Sequence, residues 1–256
     1  MAHFSDNLHL GGLLVSDGIL PIKAVAANPT VQMGVGPLGR VFALDIVPLT
    51  VQTASLAALQ APTSGTPMVL GAGTGLTSGP APDGSGATVY FFDVPRAVSL
   101  TNTTNNLSGI NFLVTGYDNY GRKTTQLMAG PNNNTVNSLK TFAAILSIVP
   151  QGTSAYTLSA GTSDIFGLSF YISDAGYCGS VKWNNTLAQD AGTLVLGDAT
   201  NPATNATGDP RGTYKPSANA SNGARRLVFL QIMAANQVGA EKDGLTPQTI
   251  LGVNPA

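Results

Sequence analysis

Acid, base, amide and hydroxyl groups gather most densely between Leu113 and Asn133, in "LVTGYDNYGRKTTQLMAGPNN". Asp118, Asn119, Arg122 and Lys123 bring a carboxylate, an amide and two cations into one short stretch. Such a mixture can move protons or hold an anion. It is equally the composition of a polar turn. The flanks decide between the two. Ile110, Phe112 and Val114 share one face of an alternating run, and "RKTTQLM" alternates again after the turn. Asp118 and Asn119 suit the corner, and Gly121 supplies a positive φ. The stretch reads as strand, tight turn, strand, with Asp118, Asn119 and Gly121 as a structural turn and no active site. Asp and Asn both suit such a corner, so Asp118→Asn is expected to be nearly neutral.

No other residue set has catalytic spacing. His3 and His9 are the only histidines and lie far from other nucleophiles or metal ligands. No H-E-x-x-H or Cys/His pattern occurs, and no G-x-S-x-G elbow. "GVGPLG", Gly34 to Gly39, spells a dinucleotide fingerprint, but Pro37 interrupts it and strand signals follow where a helix is required. Cys178 in "DAGYCGSVKW" has Lys182 near it and no histidine, which fits a packed or loop cysteine better than a nucleophile. Asp164 and Asp174 flank "DIFGLSFYISD" as strand-end acids. Trp183, the sole tryptophan, is expected in the core. Six N-x-S/T sequons, at Asn102, Asn106, Asn133, Asn184, Asn205 and Asn219, follow from the abundance of Asn and Thr. No catalytic, cofactor-binding or metal-binding residue is therefore assigned.

Composition narrows the function class further. Charged residues make up only 10 % of the chain, against roughly 25 % in ordinary soluble proteins. The net charge is −1, without the basic footprint that phosphate backbones or anionic membranes require. The expected partners are proteins, with no nucleic acid and no membrane. A surface so poor in charge is weakly defended against association, which fits a homo-oligomer. The N-terminus lacks a basic n-region, and no apolar run is long enough to span a bilayer. Synthesis in a cytoplasm without export is the expectation.

The elements that must position these residues are strands. "RVFALDIVPL", "TVYFFDVPRAVSLT", "INFLVTGYD", "DIFGLSFYISD", "GTLVLGD" and "RRLVFLQIMA" are short, apolar or alternating, and separated by turn residues. Pro95 marks an edge or a bulge in its run. "NSLKTFAAILSIVP" fits either a strand or a short helix by periodicity, and is read as a strand. "TASLAALQA", Thr53 to Ala61, is the best helix candidate, with hydroxyl caps, strong formers and Pro62 at its end. The architecture expected is all-β, a jelly-roll or immunoglobulin-like β-sandwich over 41–235. An extended N-terminal arm covers 1–40, where the first ~35 residues lack strand periodicity, and a C-terminal tail covers 236–256. Long loops are placed at 71–87 and 197–224. The first could link an N-terminal segment to the sandwich, and the second could be an arm laid on a neighbour.

The order of these motifs carries a resemblance. "VTGYDNYGRKTTQLMAGPN" followed by "KTFAAILSI" resembles the V-T-G-x-D-x-x-G hairpin, strand and G-P-N turn of β-sandwich virion structural proteins of tailed double-stranded DNA bacteriophages. "SDIFGLSFYISD" and "GDPRGTYKPS…GARRLVFLQIM" are similar to further segments of them. The resemblance covers roughly Val89 to Met233 and leaves 1–88 and 234–256 unmatched. It implies a non-enzymatic particle component, most simply a capsid decoration or cement protein that contacts the major capsid protein or other virion proteins. A tail or receptor-binding component is the alternative, and a glycan-degrading enzyme of the particle a more distant one.

Overall fold

The computed structural model describes residues 40–233 and 252–253. The fold is all-β and antiparallel, with 49 % of the described residues in strands. The described residues contain no α-helix, only a 3-10 turn at Ala175–Tyr177. Among the described residues twelve strands run in chain order: β1 Arg40–Ile46, β2 Ala57–Gln60, β3 Thr77–Pro80, β4 Thr88–Asn106, β5 Asn111–Tyr117, β6 Lys123–Ala129, β7 Asn132–Pro150, β8 Leu158–Gly167, β9 Cys178–Trp183, β10 Thr193–Leu196, β11 Gly212–Lys215 and β12 Leu227–Met233.

The strands form two sheets. A small one has the order β1-β12-β9; a large one follows the path β10-β11-β8-β4-β7-β5-β6, with β2 added to β8 and β3 to β4. β4 and β7 are 19 residues each, well beyond the usual strand of up to ~10. Bulges bend them. The β4–β7 register shifts between Phe91 and Arg96, Ala97 and Ser99, and Asn102 and Asn106. Each bulge increases local twist, so the large sheet curls into a half-barrel. Pro95 falls inside the first shift. It marks a bulge in a central strand, not an edge.

Two main clusters hold the fold. Phe112, Val114, Phe142, Ile145 and Ile148 fill the curl of the large sheet, together with Leu56 and Met68 from the connection before β3. The other lies where the small sheet packs on the large one, with Phe166, Ile172, Trp183, Tyr214, Leu227 and Phe229. Trp183 is a core residue as expected, and its indole N–H donates to Ala218 C=O at 2.8 Å. Each such side chain contributes roughly 1.5–3 kcal/mol by burial.

Four sequence expectations need correction. Thr53–Ala61 is not a helix. Leu56 donates its N–H to Ala160 C=O, and Ala57 pairs with Ala160 on β8. Tertiary pairing that buries Leu56 completely outweighs helix propensities of a few tenths of a kcal/mol. The stretch 71–87 is no linker, because Thr77–Pro80 pairs with Phe91–Thr88 of β4. The stretch 197–224 lies on its own body, since Gly212–Lys215 pairs with β10 and Asp209 and Arg211 are buried. In "DIFGLSFYISD", β8 ends at Gly167 and starts upstream at Leu158, so Asp164 sits within a strand. Gly167 is closed in by the Thr141 and Pro95 side chains, and the chain turns away there. The expected arm 1–40 lies outside the described residues except for Arg40 in β1. Of the expected tail, only Gly252 and Val253 are described, and both are buried, with Gly252 packed against Pro210.

Candidate functional site

The Asp118 hairpin is the natural place to look for chemistry. β5 and β6 pair from Asn111–Ala129 to Tyr117–Lys123. Gly121 N–H closes the turn on Asp118 C=O at 3.0 Å, and Asp118 N–H bonds Arg122 C=O at 3.0 Å. Gly121 has φ +72°, as the sequence requires of it. A Cβ there would also lie 3.3 Å from Pro82. Gly121→Val is expected to lose ~1–2 kcal/mol through left-handed strain. A thermal melt that superimposes on the wild type would contradict this turn.

Asp118 does more than shape the corner. Its Oδ1 accepts the N–H groups of Tyr120 and Arg122, each at 2.9 Å. Its Oδ2 accepts Arg122 Nε at 3.1 Å and Arg211 Nη1 at 2.9 Å. Arg211 comes from 93 positions along the chain and is 2 % exposed. Its Nε donates to Leu168 C=O at 3.3 Å, and its guanidinium lies 5.3 Å from the Tyr120 ring centroid. Tyr120 in turn donates its hydroxyl to Ser169 C=O at 2.5 Å. The hairpin corner is thus pinned to the segment after β8 and to the start of β11.

The network continues inward. Asp209 Oδ2 accepts the N–H and hydroxyl of Thr141 at 2.9 and 2.7 Å, while its Oδ1 accepts Arg211 N–H at 2.9 Å. Lys140 is 1 % exposed. Its ammonium donates to Thr125 C=O at 2.9 Å and Thr204 C=O at 2.5 Å. Asp118, Thr124, Lys140, Thr141, Asp209 and Arg211 enclose a cavity of about 10 Å³, room for a single water. No substrate fits there.

Burial by itself would raise the Asp118 pKa. The Arg211 charge, the Arg122 N–H and the Arg122 charge outweigh it and hold the carboxyl below its ordinary value. A carboxylate clamped in this way is a poor general base at neutral pH. Burial lowers the Lys140 pKa, opposed by Asp209 and Asp198. The arrangement ties β5, β6, β7 and the 197–224 stretch together. What it can do chemically is hold a shape.

Other polar groups behave alike. Arg96 is fully buried. It donates to Leu49 C=O and, at 2.9 Å, to Asp93 Oδ2, and it lies 5.4 Å from the Phe166 ring centroid. Asp164 Oδ2 accepts Ser221 N–H at 3.1 Å. Asp174 caps the 3-10 turn. Cys178 is half-buried in β9, and desolvation pushes its thiol pKa up, which makes it less nucleophilic. Asn102 is buried, and its amide donates to Thr157 C=O at 2.5 Å. Among the described residues no group of three His, Cys, Asp or Glu is placed to hold a metal, and no helix is long and apolar enough to cross a membrane. His3, His9 and Gly34 to Gly39 lie outside the described residues.

One pair couples the fold to pH. Tyr117, the last residue of β5, donates its hydroxyl to Asp83 Oδ2 at 2.6 Å. That bond, with further ones from Ser85, lowers the Asp83 pKa to about 2. The same bond, with burial and the Asp83 charge, raises the Tyr117 pKa to about 12. The raised tyrosine contributes stability that is complete below its ordinary pKa of 10.0 and is lost as pH climbs through about 12. The depressed aspartate contributes above its ordinary 3.8, and its share is lost as pH falls through about 2. Tyr117→Phe is expected to flatten the alkaline side of the stability profile. Ultraviolet titration of tyrosinate should show one late-titrating group vanish in that variant; an unchanged titration would contradict the pairing.

The sequence singled out Asp118, Asn119 and Gly121, and the structure brings them together in one turn. It missed Arg211, Asp209 and Lys140. No local pattern marks them, although charges are scarce enough that "GDPRG" inside a turn-rich stretch was an available signal. Comparison of the chain with family models, curated proteins and solved structures returned no match.

Proposed function

We propose that this chain is a structural component of a tailed-bacteriophage particle, a capsid decoration or cement protein that stabilises the head through protein–protein contacts. The carrying observation is the fate of its few charged side chains. Asp118, Arg122, Arg211, Asp209, Lys140 and Arg96 are bonded to the protein's own backbone and side chains. The exposed surface is left poor in charge and carries large apolar side chains such as Leu59, Val69 and Leu187, which suits a molecule covered by neighbours. The Val89–Met233 resemblance supports the same reading, as does a rigid β body able to serve as a clip. The competing reading within a particle is a tail or receptor-binding component.

On this reading the protein grips a lattice through uncharged contacts, with residues 1–30 as part of the grip. Specific interfaces bury ~1,200–2,000 Å², and an extended segment supplies such area with little chain. Deletion of residues 1–30 should leave a folded body that no longer docks. Co-sedimentation of full-length and shortened protein with bare capsids and with tails, at low and high salt, is the test. Attachment of the full-length protein should survive high salt, because screening weakens ion pairs more than apolar contact. Equal binding of both proteins, or release by moderate salt, contradicts the reading. Binding to tails alone selects the second one.

A further inference from the structure

Thr124 is the second residue of β6 and pairs with Gly116 of β5. Side chains alternate along a strand, and Thr124, Gln126 and Met128 form its buried face. At Thr124 that face meets Lys140 and Thr141 of β7 and the 209–211 segment around the small cavity of about 10 Å³. The Thr124 hydroxyl is buried there with no hydrogen-bond partner among the described residues. A valine would fill the same volume with no polar group to desolvate, so an idle hydroxyl at this position would only destabilise the fold. A second group is also short of a partner. The Lys140 ammonium carries three N–H groups, and the Thr125 and Thr204 carbonyls take two of them. Lys140 is buried, so bulk solvent does not take the third.

We propose that this cavity is the binding site of one ordered water molecule, which accepts a hydrogen bond from Lys140 Nζ and shares another with Thr124 Oγ1. The volume is that of a single water. The charges select a neutral ligand. Asp118 and Asp209 line the cavity together with Lys140 and Arg211, two groups of each sign. A bound anion would lie against the carboxylates, and a bound cation against the ammonium and the guanidinium. A molecule that is uncharged and both donates and accepts avoids either repulsion. A buried water makes about three hydrogen bonds, and Lys140, Thr124 and a carboxylate oxygen supply that number. The site is also closed. Asp118, Thr124, Lys140, Thr141, Asp209 and Arg211 are each at most 6 % exposed. The water therefore exchanges only when the 209–211 segment lifts from β6 and β7, and its residence time reports that opening. The inference concerns the hairpin's attachment to the 197–224 stretch and does not depend on the particle reading.

The test uses the full-length protein and the variants Thr124→Val and Thr124→Ser. Oxygen-17 magnetic relaxation dispersion counts internal waters that outlast molecular tumbling. Thr124→Val should hold one fewer than the wild type, and Thr124→Ser, which keeps the hydroxyl, the same number. Thermal melts then give the sign of the effect. Thr124→Val should melt about 2–6 °C below the wild type, because it takes a partner from the water and leaves Lys140 short of an acceptor. An idle hydroxyl predicts the reverse, since valine would bury more apolar surface at no polar cost. A crystal structure of the wild type grown in sodium bromide should show density bonded to Lys140 Nζ in this cavity, without anomalous signal. An equal count of long-lived waters in wild type and Thr124→Val, a Thr124→Val melting temperature at or above the wild type, or anomalous bromide density in the cavity would each overturn the proposal.

Discussion

Asp118→Asn is expected to lower folding stability by ~3–5 kcal/mol, the usual consequence of removing one partner from a buried ion pair. The sequence alone suggested the opposite, because Asn and Asp are interchangeable at a turn corner. The difference is Arg211. Its guanidinium is 2 % exposed and bonds Asp118 Oδ2 at 2.9 Å; an amide removes the negative charge that Asp118 sets against that buried cation. The amide can still accept Tyr120 N–H and Arg122 N–H through its oxygen, so the turn itself should persist. Chemical denaturation should therefore show a lower midpoint with an unchanged slope. A double variant with Arg211→Met should recover part of the loss, because it removes the buried cation along with its Asp118 partner. A loss below ~1 kcal/mol for Asp118→Asn would show that the pair is not holding the hairpin to β11. The pH dependence follows from the depressed carboxyl of Asp118. Its contribution is present above the ordinary value of 3.8 and fades as pH falls through the lower folded-state value. The acid limb of the Asp118→Asn profile should be correspondingly shallower.

Gly161→Ala should cost about 3 kcal/mol, the upper end of ordinary overpacking. Gly161 lies in β8 where the 49–53 connection crosses it. An added Cβ would sit 1.8 Å from Gln52 carbonyl oxygen and 2.6 Å from Thr53 carbonyl carbon. Both neighbours are backbone, so neither can swing aside. The same Gln52 carbonyl accepts Thr162 N–H at 2.8 Å, and Gln52 N–H donates to Thr162 Oγ1 at 3.0 Å. A methyl group there must push the crossing away and break both bonds. For a chain of this size the melting temperature should fall by about 6–12 °C. Gly71→Ala is the control: its Cβ would have nothing within 4 Å, and it should stay within about 0.5 kcal/mol of the wild type. Equal melting of the two variants would mean that the crossing over β8 is looser than its hydrogen bonds indicate.

The sequence by itself determined the all-β class, most strand positions and the Asp118 turn. These are local properties. The alternation of Phe42, Leu44 and Ile46 needs only a pleat, and Gly121 needs only a backbone that a side chain would strain. The core place of Trp183 follows from the same apolar bookkeeping, whereas the apolar run of "NSLKTFAAILSIVP" fits strand and helix alike, and pairing with β4 and β5 makes it a strand. Tertiary structure alone decided the rest. Ala57–Gln60 is a strand because β8 offered a partner, and no propensity within Thr53–Ala61 records that offer. The 197–224 stretch looks like a loose arm because its composition is that of turns. Asp209 and Arg211 turn it inward by reaching residues 68 and 93 positions away. Sequence spacing carries no trace of such distances, since the curl that closes them comes from bulges in β4 and β7. The chemical look of the hairpin had the same origin. Asp118 and Arg122 are charged because the interior they enter holds Arg211 and Asp209, and in a low-dielectric interior a charge persists only where its partner is already in place.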